Sequence, residues 1–289
     1  IITNQQLTPP QGSEPAVLTL TGEDISYKMD QEEKSAEHPA QSENIIAMKI
    51  IAGYAVYGMI PLVIPPLALD VPLPTDRIPV QQATDLAFLS ELATRHAYVF
   101  YVTPGPVIGT NTAYWGPPIR FGIPQKALTI DMGPESNVQT ANFQNSASEA
   151  TTTQGTVQDR TSNQQVPVLS FLSTQPPLAL DNPLLNKAVA RVERFRAQSG
   201  QTVAQAMAQA QAITDAASNV IKVEGELNTA AYGSSLRARG LVGLRGAGLS
   251  YDGLYYVQKV THTIRAGDYK QKFSLTREGL GSTIPVVIP

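Results

Sequence analysis

Alternation of apolar and polar positions is the clearest pattern near both ends of the chain. Residues 16–21 (AVLTLT) alternate and are rich in β-branched side chains, which predicts a strand, and the opening IITNQQL reads as another strand. From residue 219 onward, apolar and polar positions alternate in segments such as GLYYVQKVTHTI and DYKQKFSLTR, and glycine-rich turns separate these segments. This pattern predicts a β-module of four or five strands over 219–289.

The last predicted hairpin of this module divides its side chains into two faces. The apolar phase of the second strand contains Tyr269, Gln271, Phe273 and Leu275, and the polar phase contains Lys270, Lys272, Ser274 and Thr276. Residues 266–268 are expected to turn the chain. One face of this sheet should therefore contact a core, and the other should face water or a partner.

Helical spacing of apolar residues recurs in three other places. Residues 42–58 place Ile45, Met48, Ile51, Ala52 and Ala55 on one predicted stripe behind an N-cap at Ser42. Residues 84–96 predict a second helix with an N-cap at Thr84 and a stripe of Leu86, Leu89, Leu92 and Ala93. Over 180–218 we expect two helices, the first starting at Asn182 and Pro183 and the second at a capping box of Thr202 and Gln205.

Between these helices the chain reads as short strands and loops. Residues 97–106 predict a buried strand, residues 126–133 and 136–144 two more, and the proline- and glycine-rich residues 105–125 a loop around Trp115. Residues 146–166 are polar and poor in bulky apolar side chains, so we expect a surface segment there. The fold class expected from these patterns is α+β and mainly β.

Composition excludes several function classes. The chain of 289 residues has no cysteine and only three histidines, so disulfides and thiolate metal sites are excluded and we expect no cofactor. Its formal net charge is −3 and its basic residues are dispersed, which argues against nucleic acid as a partner. The most apolar stretch, residues 59–74, contains five prolines and Asp70, so no membrane-spanning helix is expected.

Candidate catalytic groups are few. Glu23 with Asp24, and Glu32 with Glu33, are the only adjacent acid pairs, and neighbours on a strand point to opposite sides, so we interpret them as surface residues. None of His38, His96 and His262 accompanies a nucleophile-elbow motif. His262 lies on a predicted strand, where a hydrogen-bonded structural role is the simpler interpretation.

Two further features could bind a ligand. The segment GLVGLRGAG (240–248) has glycines at phosphate-loop spacing, but another strand follows it instead of a helix, so turn glycines are the better interpretation. Trp115 could stack on a sugar, or it could anchor its loop by burial. The residues alone thus predict a β-rich binding or architectural protein without a reaction centre.

Several blocks of the chain, in order, resemble the phage late control D family, the baseplate hub proteins of contractile tails and injection systems, which are related to the hub part of VgrG. The blocks are LTLTGEDISYKMD (18–30), TDLAFLSELATRHAYVFYVTPGP (84–106), NTAYWGPP (111–118), RARGLVGLRGAGLSYDGLYYV (237–257) and DGLYYVQKVTHTIRAGDYKQKFSLTREGLGS (252–282). From the first block to the last, the resemblance extends over residues 18–282.

The resemblance implies tube-protein-like β-barrel modules with helical insertions. Residues 1–30 would end a first module whose N-terminal part is missing, residues 31–180 would form a helix-strand insertion domain, residues 181–218 a helical connector, and residues 219–289 the second module. Two modules in each subunit of a homotrimer would present six edges to a six-fold tube.

The implied function is that of a non-enzymatic structural adaptor. It would join the inner tube to a three-fold spike on a separate polypeptide, with wedge proteins outside, and it would be assembled in the cytoplasm into a baseplate. From the alternation, we expect Lys259, Lys270 and Lys272 to contribute to an interface; full solvation of the lysines is the alternative. His262 is a further candidate for the same interface. The rival functions are a peptidoglycan-hydrolysing tail enzyme and a carbohydrate-binding β-module centred on Trp115.

Overall fold

The computed structural model describes residues 1–10, 16–67, 69–75, 77–159, 162–186, 189–197 and 201–284. The chain divides into two compact units, Ile1–Pro117 and Pro118–Pro289. The architecture is α+β and mainly β, as the sequence predicted. Two strands that precede residue 150 join the large sheet of the second unit.

The N-terminal unit combines short strands with two helices. Its strands are β1 (Ile2–Thr8), β2 (Val17–Gly22), β3 (Glu33–Glu37), β4 (Met59–Val63), β5 (Val80–Thr84), β6 (Val99–Pro104) and β7 (Asn111–Gly116). Its helices are α1 (Glu43–Ala52) and α2 (Asp85–Thr94). The sheets pair β1 with β2, pair β3 with β5, and run in the order β4-β7-β6.

The core of this unit lies between α1, α2 and one face of the β4-β7-β6 sheet. Thr84 caps α2 as predicted, because its side chain accepts a hydrogen bond from the Ala87 amide. In α1 the predicted stripe is only partly right: Ile51 is buried as predicted, but Ile45 and Met48 are exposed. Ile46 and Ile50 are buried in their place. The run of apolar residues in α1 covers much of its circumference, so periodicity alone did not fix the buried face.

The C-terminal unit is dominated by one curled sheet. Its strands are β8 (Gln125–Thr129), β9 (Val138–Asn145), β10 (Thr151–Gln158), β11 (Gln165–Ser170), β12 (Ala179–Asp181), β13 (Arg191–Arg196), β14 (Ile221–Asn228), β15 (Leu241–Arg245), β16 (Gly253–Arg265), β17 (Asp268–Arg277) and β18 (Leu280–Ser282). Its helices are α3 (Val203–Ala217) and α4 (Thr229–Tyr232). The large sheet runs β8-β15-β16-β17-β14-β9, a smaller one runs β11-β10-β13, and β12 pairs with β18.

The predicted β16–β17 hairpin is confirmed, with Arg265 opposite Asp268 next to the turn. Phe273 and Leu275 of its apolar phase are buried in the main core together with Val223, Val257 and other side chains. Gly225 is required beside them, because a Cβ there would clash with the Phe273 ring. The alternation thus correctly predicted which face of this hairpin contacts the core.

Two segments differ from the sequence predictions. The polar segment 146–166 contains strand β10, and the predicted helix over 183–196 is a single 3-10 turn (Pro183–Leu185) followed by strand β13. β13 pairs in parallel with β10, and α3 packs on the sheet they form. Buried Thr153 bonds to Thr214 of α3, so threonine in this strand fills core positions that the composition had assigned to the surface.

Candidate assembly surfaces

The three predicted interface lysines lie on one face of the large sheet. In the β16–β17 register Lys259 pairs with Ser274 and Thr261 with Lys272, so both strands direct these polar residues to the face opposite the core. β14 continues the same face, since Glu226 pairs with Lys272 and Asn228 with Lys270. We call the face formed by Lys222, Glu224, Glu226, Lys259, Lys270 and Lys272 the polar sheet face.

The polar sheet face carries mixed charge. Lys270 forms an ion pair of 3.2 Å with Glu226, and both side chains are partly exposed, so water screens the pair. Lys259, Lys272 and Glu224 are exposed. Interspersed charges of both signs favour recognition of a complementary protein surface over binding to a polyanion.

His262 lies on the other side of the hairpin from the lysines, because its Cα partner is Gln271. Its Nδ1 atom is 2.7 Å from the Tyr269 hydroxyl and 3.2 Å from Gln271 Nε2. The predicted structural hydrogen bonds of His262 are therefore present. The structure separates His262 from the three lysines with which it had been grouped.

The opposite end of the polar sheet face is covered by the protein itself. Tyr256, whose Cα partner is Thr276, packs with Leu178 and Leu241 in a small buried cluster. Beside it, the buried Arg120 guanidinium bonds to Glu278 at 3.2 Å, and the Glu278 carboxylate also accepts the Leu178 and Ala179 amides. Burial lowers the pKa of Arg120, against the opposing charge of Glu278.

This buried pair was not predicted from the sequence. Its members are 158 residues apart, and no local pattern around Arg120 or Glu278 indicates a partner. The pair holds the segment before β12 against the end of β17, so the sheet face is closed at this end and open where the lysines lie. We therefore infer that any partner of this face contacts its lysine-bearing end.

The β1–β2 hairpin presents an uncovered apolar face. Leu7 pairs with Leu18, and Gln5 with Leu20, so the three leucines project to the same side. Their side chains are 66%, 58% and 51% exposed for Leu7, Leu18 and Leu20, respectively. Because a two-stranded hairpin alone is marginally stable in water, this apolar face is typical of a surface that a partner covers.

A buried polar cluster organises the N-terminal unit. Asp85, in the first turn of α2, accepts hydrogen bonds from Lys34 at 2.5 Å, Tyr54 at 2.7 Å and Gln81 at 2.7 Å. Burial by itself raises the pKa of Asp85, but the bonds from Lys34, Tyr54 and Gln81 outweigh it and lower that pKa below its usual value. Burial, together with the bond to Asp85, raises the pKa of Tyr54 to about 12.

This cluster is structural in form. It joins the β3–β5 pair to the start of α2, and its donors satisfy both oxygens of the Asp85 carboxylate. A carboxylate whose pKa is lowered is a poor proton acceptor near neutral pH, so the cluster does not resemble a general base. The same holds for Glu43, whose pKa is lowered, against the effect of burial, by His96 and then by Arg95.

The other two histidines are part of the N-terminal core. His38 is buried and stacks on Phe88, and Gln81 is its polar neighbour. His96 Nε2 lies 2.5 Å from Glu43, and its ring packs edge-on against Trp115. His38 and His96 are therefore structural residues of the N-terminal unit.

Trp115 is a buried anchor, which was one of the two roles predicted for it; the other was a sugar-stacking platform. It belongs to strand β7 and not to a loop. Its side chain is 0% exposed, and its Nε1 donates to the Leu89 carbonyl of α2. A sugar cannot stack on a ring in this position. The platform interpretation is therefore wrong.

The remaining candidates are the two acid pairs and the glycine-rich segment. The acid pairs Glu23 with Asp24 and Glu32 with Glu33 are exposed, and Asp24 caps a 3-10 turn through the Ser26 amide. Of the glycines in 240–248, Gly243 lies in β15, and Gly246 and Gly248 lie in the turn that follows it. Within the described ranges, no three His, Cys, Asp or Glu side chains converge in a way that could hold a metal ion.

Among the helices described, none has both the length and the apolar character needed to cross a bilayer.

Comparison with solved structures gives matches over nearly the whole chain. A tail protein from Neisseria meningitidis MC58 superposes with a TM-score of 0.63 over 97% of this chain and 80% of its own, at 11% identity. The 43 kDa tail protein of prophage MuSo2 from Shewanella oneidensis gives a TM-score of 0.60 over 96% of this chain and 77% of its own, at 12% identity.

A third match is an E. coli protein described as a component of the type VI secretion system with structural similarity to the T4 bacteriophage tail proteins gp27 and gp5. It gives a TM-score of 0.58 over 100% of this chain and 63% of its own, at 11% identity. No protein-family model matches the chain. No curated protein matches it by sequence. The chain therefore shares the fold of phage tail proteins and of a secretion-system component.

Proposed function

We propose that this chain is a structural baseplate hub of a contractile tail or contractile injection system, of the late control D type. In this role it forms a homotrimer between the six-fold inner tube and the three-fold central spike, and wedge proteins contact its outside. It is assembled in the cytoplasm and acts in the baseplate of a phage tail or injection particle. It binds neither nucleic acid nor membrane directly, and it acts without catalysis or a cofactor.

The observation that carries this proposal is the fold likeness over almost the entire chain. Phage tail proteins match across both compact units, and the secretion-system component matches over the full length. Fold likeness at 11–12% identity does not fix a function, so the surfaces of this chain are the second line of support.

Two surfaces fit an assembly role. The exposed leucines of the β1–β2 hairpin would be buried between subunits, because obligate oligomer interfaces are large and apolar. The polar sheet face, with Lys259, Lys270 and Lys272, would meet the tube or a neighbouring subunit through complementary charges. In this proposal residues 219–289 form most of a tube-like module, which β8 and β9 extend at the two edges of its sheet.

The test is imaging of the reconstituted assembly. The purified chain, alone and mixed with the inner-tube and spike proteins of the same particle, is examined by electron microscopy. The proposal predicts three-fold rings with six-fold pseudosymmetry on the face that receives the tube. Single chains that never form rings and bind neither protein would contradict it, and cell-wall clearing by the purified chain in a zymogram would favour the hydrolase instead.

A further inference from the structure

Strand β13 is an edge strand of the β11-β10-β13 sheet, and its charge is unusual for this protein. Its sequence, RVERFR, carries three arginines and one glutamate, a local net charge of +2 on a chain whose formal net charge is −3. Arg191, Arg194 and Arg196 are exposed, and none of them has an ion-pair partner within the described ranges. The strand therefore concentrates positive charge that no ion pair of the described residues neutralises.

The backbone of β13 also has open hydrogen-bonding groups. The Arg191 amide donates to the Ala150 carbonyl, so the backbone of Arg191 faces the β10 side. In a parallel ladder, alternate residues face the same neighbour. Glu193 and Phe195 consequently face β10 as well, and the amides and carbonyls of Val192, Arg194 and Arg196 point away from the sheet.

Two of the three residues whose backbone groups point away from the sheet are arginines. Phe195 is buried against α3, so the side chains of Val192, Arg194 and Arg196 lie on the opposite face of the sheet. Arg194 and Arg196 are two positions apart, which is about 6.6 Å along a strand. An extended chain laid along this edge would place its own alternate side chains at the same spacing.

The other edge of the same sheet is protected in a different way. β11 contains Pro167, which has no amide to donate and thus interrupts any added ladder. β13 contains no proline. Two copies of β13 would meet with like charges opposed, which is unfavourable, so a second copy does not fit this edge.

We propose that β13 is a docking edge for an extended, acidic segment of a partner protein, which adds to the sheet as a further strand. Main-chain hydrogen bonds to Val192, Arg194 and Arg196 supply the pairing, and carboxylates at alternate positions of the added strand bind the two arginines. This docking edge is independent of the hub function proposed above, because it depends on neither the hairpin leucines nor the polar sheet face.

The test uses the ¹⁵N-labelled chain and an octapeptide that alternates glutamate with threonine. Titration followed by NMR is expected to shift the β13 amide signals, and hydrogen exchange is expected to slow at Val192, Arg194 and Arg196. Exchange at Arg191 and Glu193 should change little, because these amides already face β10. A peptide with lysine in place of glutamate should not bind.

Charge reversal sharpens the test. The double variant Arg194→Glu/Arg196→Glu should weaken binding of the glutamate peptide by about 10-fold or more and should gain binding of the lysine peptide. The matched control, Lys126→Glu/Arg265→Glu, makes the same charge change at two exposed positions outside β13 and should leave both affinities unchanged.

Three results would overturn the proposal. One is the absence of shifts in the β13 amide signals at a millimolar concentration of the glutamate peptide. This result would mean that the arginines only prevent other strands from pairing with β13. Another is equal binding of the two peptides. The third is tighter binding of single-stranded oligothymidylate without slower exchange at the outward amides, which would indicate a phosphate-binding patch instead of a strand-docking edge.

Discussion

Two hairpins of this protein have the same alternating sequence pattern and opposite environments. β16–β17 buries its apolar face, including Phe273 and Leu275, in the main core of the C-terminal unit. β1–β2 directs Leu7, Leu18 and Leu20 to one side, and that side is exposed. The difference shows that alternation determines which face is apolar, whereas the rest of the fold, or a partner, determines whether that face is covered.

The largest expected effect is a core truncation in the covered hairpin. Phe273→Ala should lower the free energy of unfolding by about 3–5 kcal/mol, because it leaves a cavity over Gly225. The matched truncation Leu18→Ala in the uncovered hairpin should change it by less than about 0.5 kcal/mol in single chains. Urea denaturation of both variants measures the contrast, and equal losses would mean that the hairpins do not differ in burial.

A comparable effect is expected where the protein covers the end of its own sheet face. Arg120→Met leaves the buried Glu278 carboxylate without its cation and should cost about 3 kcal/mol. Urea denaturation again provides the measurement. A cost below about 1 kcal/mol would show that the pair is dispensable for closing that end of the face, and Lys259→Met at the open end is the exposed control.

Acidification should act on the N-terminal unit through His38. Burial lowers the pKa of His38 from its usual value of 6.5, so the folded state binds the proton less readily than the unfolded state does. The contribution of neutral His38 to the free energy of unfolding is complete above pH 6.5. It is lost as the pH falls toward the pKa of His38 in the folded state. Thermal unfolding between pH 7.5 and 5 should therefore show a falling Tm.

The variant His38→Leu isolates this contribution. It should flatten the part of the Tm profile between pH 6.5 and 5. An identical slope in His38→Leu and the unchanged protein would show that His38 is not the group responsible.

The smallest effect on stability is expected at the polar sheet face. Lys259→Glu/Lys272→Glu should shift the free energy of unfolding by no more than about 0.5 kcal/mol, because both side chains are exposed. Under the hub proposal the same change should weaken binding to the inner-tube protein, measured by cosedimentation. Lys28→Glu/Lys49→Glu, with the same charge change in the other unit, is the control, and equal binding by the two variants would favour full solvation of the lysines.

The parts of the fold predicted from the sequence are those with local signals. The capping box of Thr202 and Gln205 starts α3 as expected, and the phase of β17 is correct at Phe273. Strand β13 was mistaken for a helix, because Leu185, Val189, Val192 and Phe195 have helical spacing, and only pairing with β10 makes a strand of the segment.

In the candidate surfaces, too, features with a local sequence signal were predicted and features that depend on distant contacts were not. Alternation alone placed Lys259, Lys270 and Lys272 on one face, and the register agrees. The Arg120–Glu278 pair and the cluster around Asp85 depend on contacts between distant segments, for which a single sequence carries no local signal. The open edge at β13 likewise became visible only once its neighbour in the sheet was known.

Under the hub proposal the uncovered hairpin is a subunit interface of a trimer, and sedimentation equilibrium is the decisive measurement. The chain is compared with Leu18→Asp/Leu20→Asp and with the control Leu67→Asp/Leu249→Asp, which changes two other exposed leucines. The expected mass is three times 31.0 kDa for the chain and the control, and that of a single chain for the hairpin variant. A single-chain mass for all three at micromolar concentration, or an unchanged trimer in the hairpin variant, would contradict it.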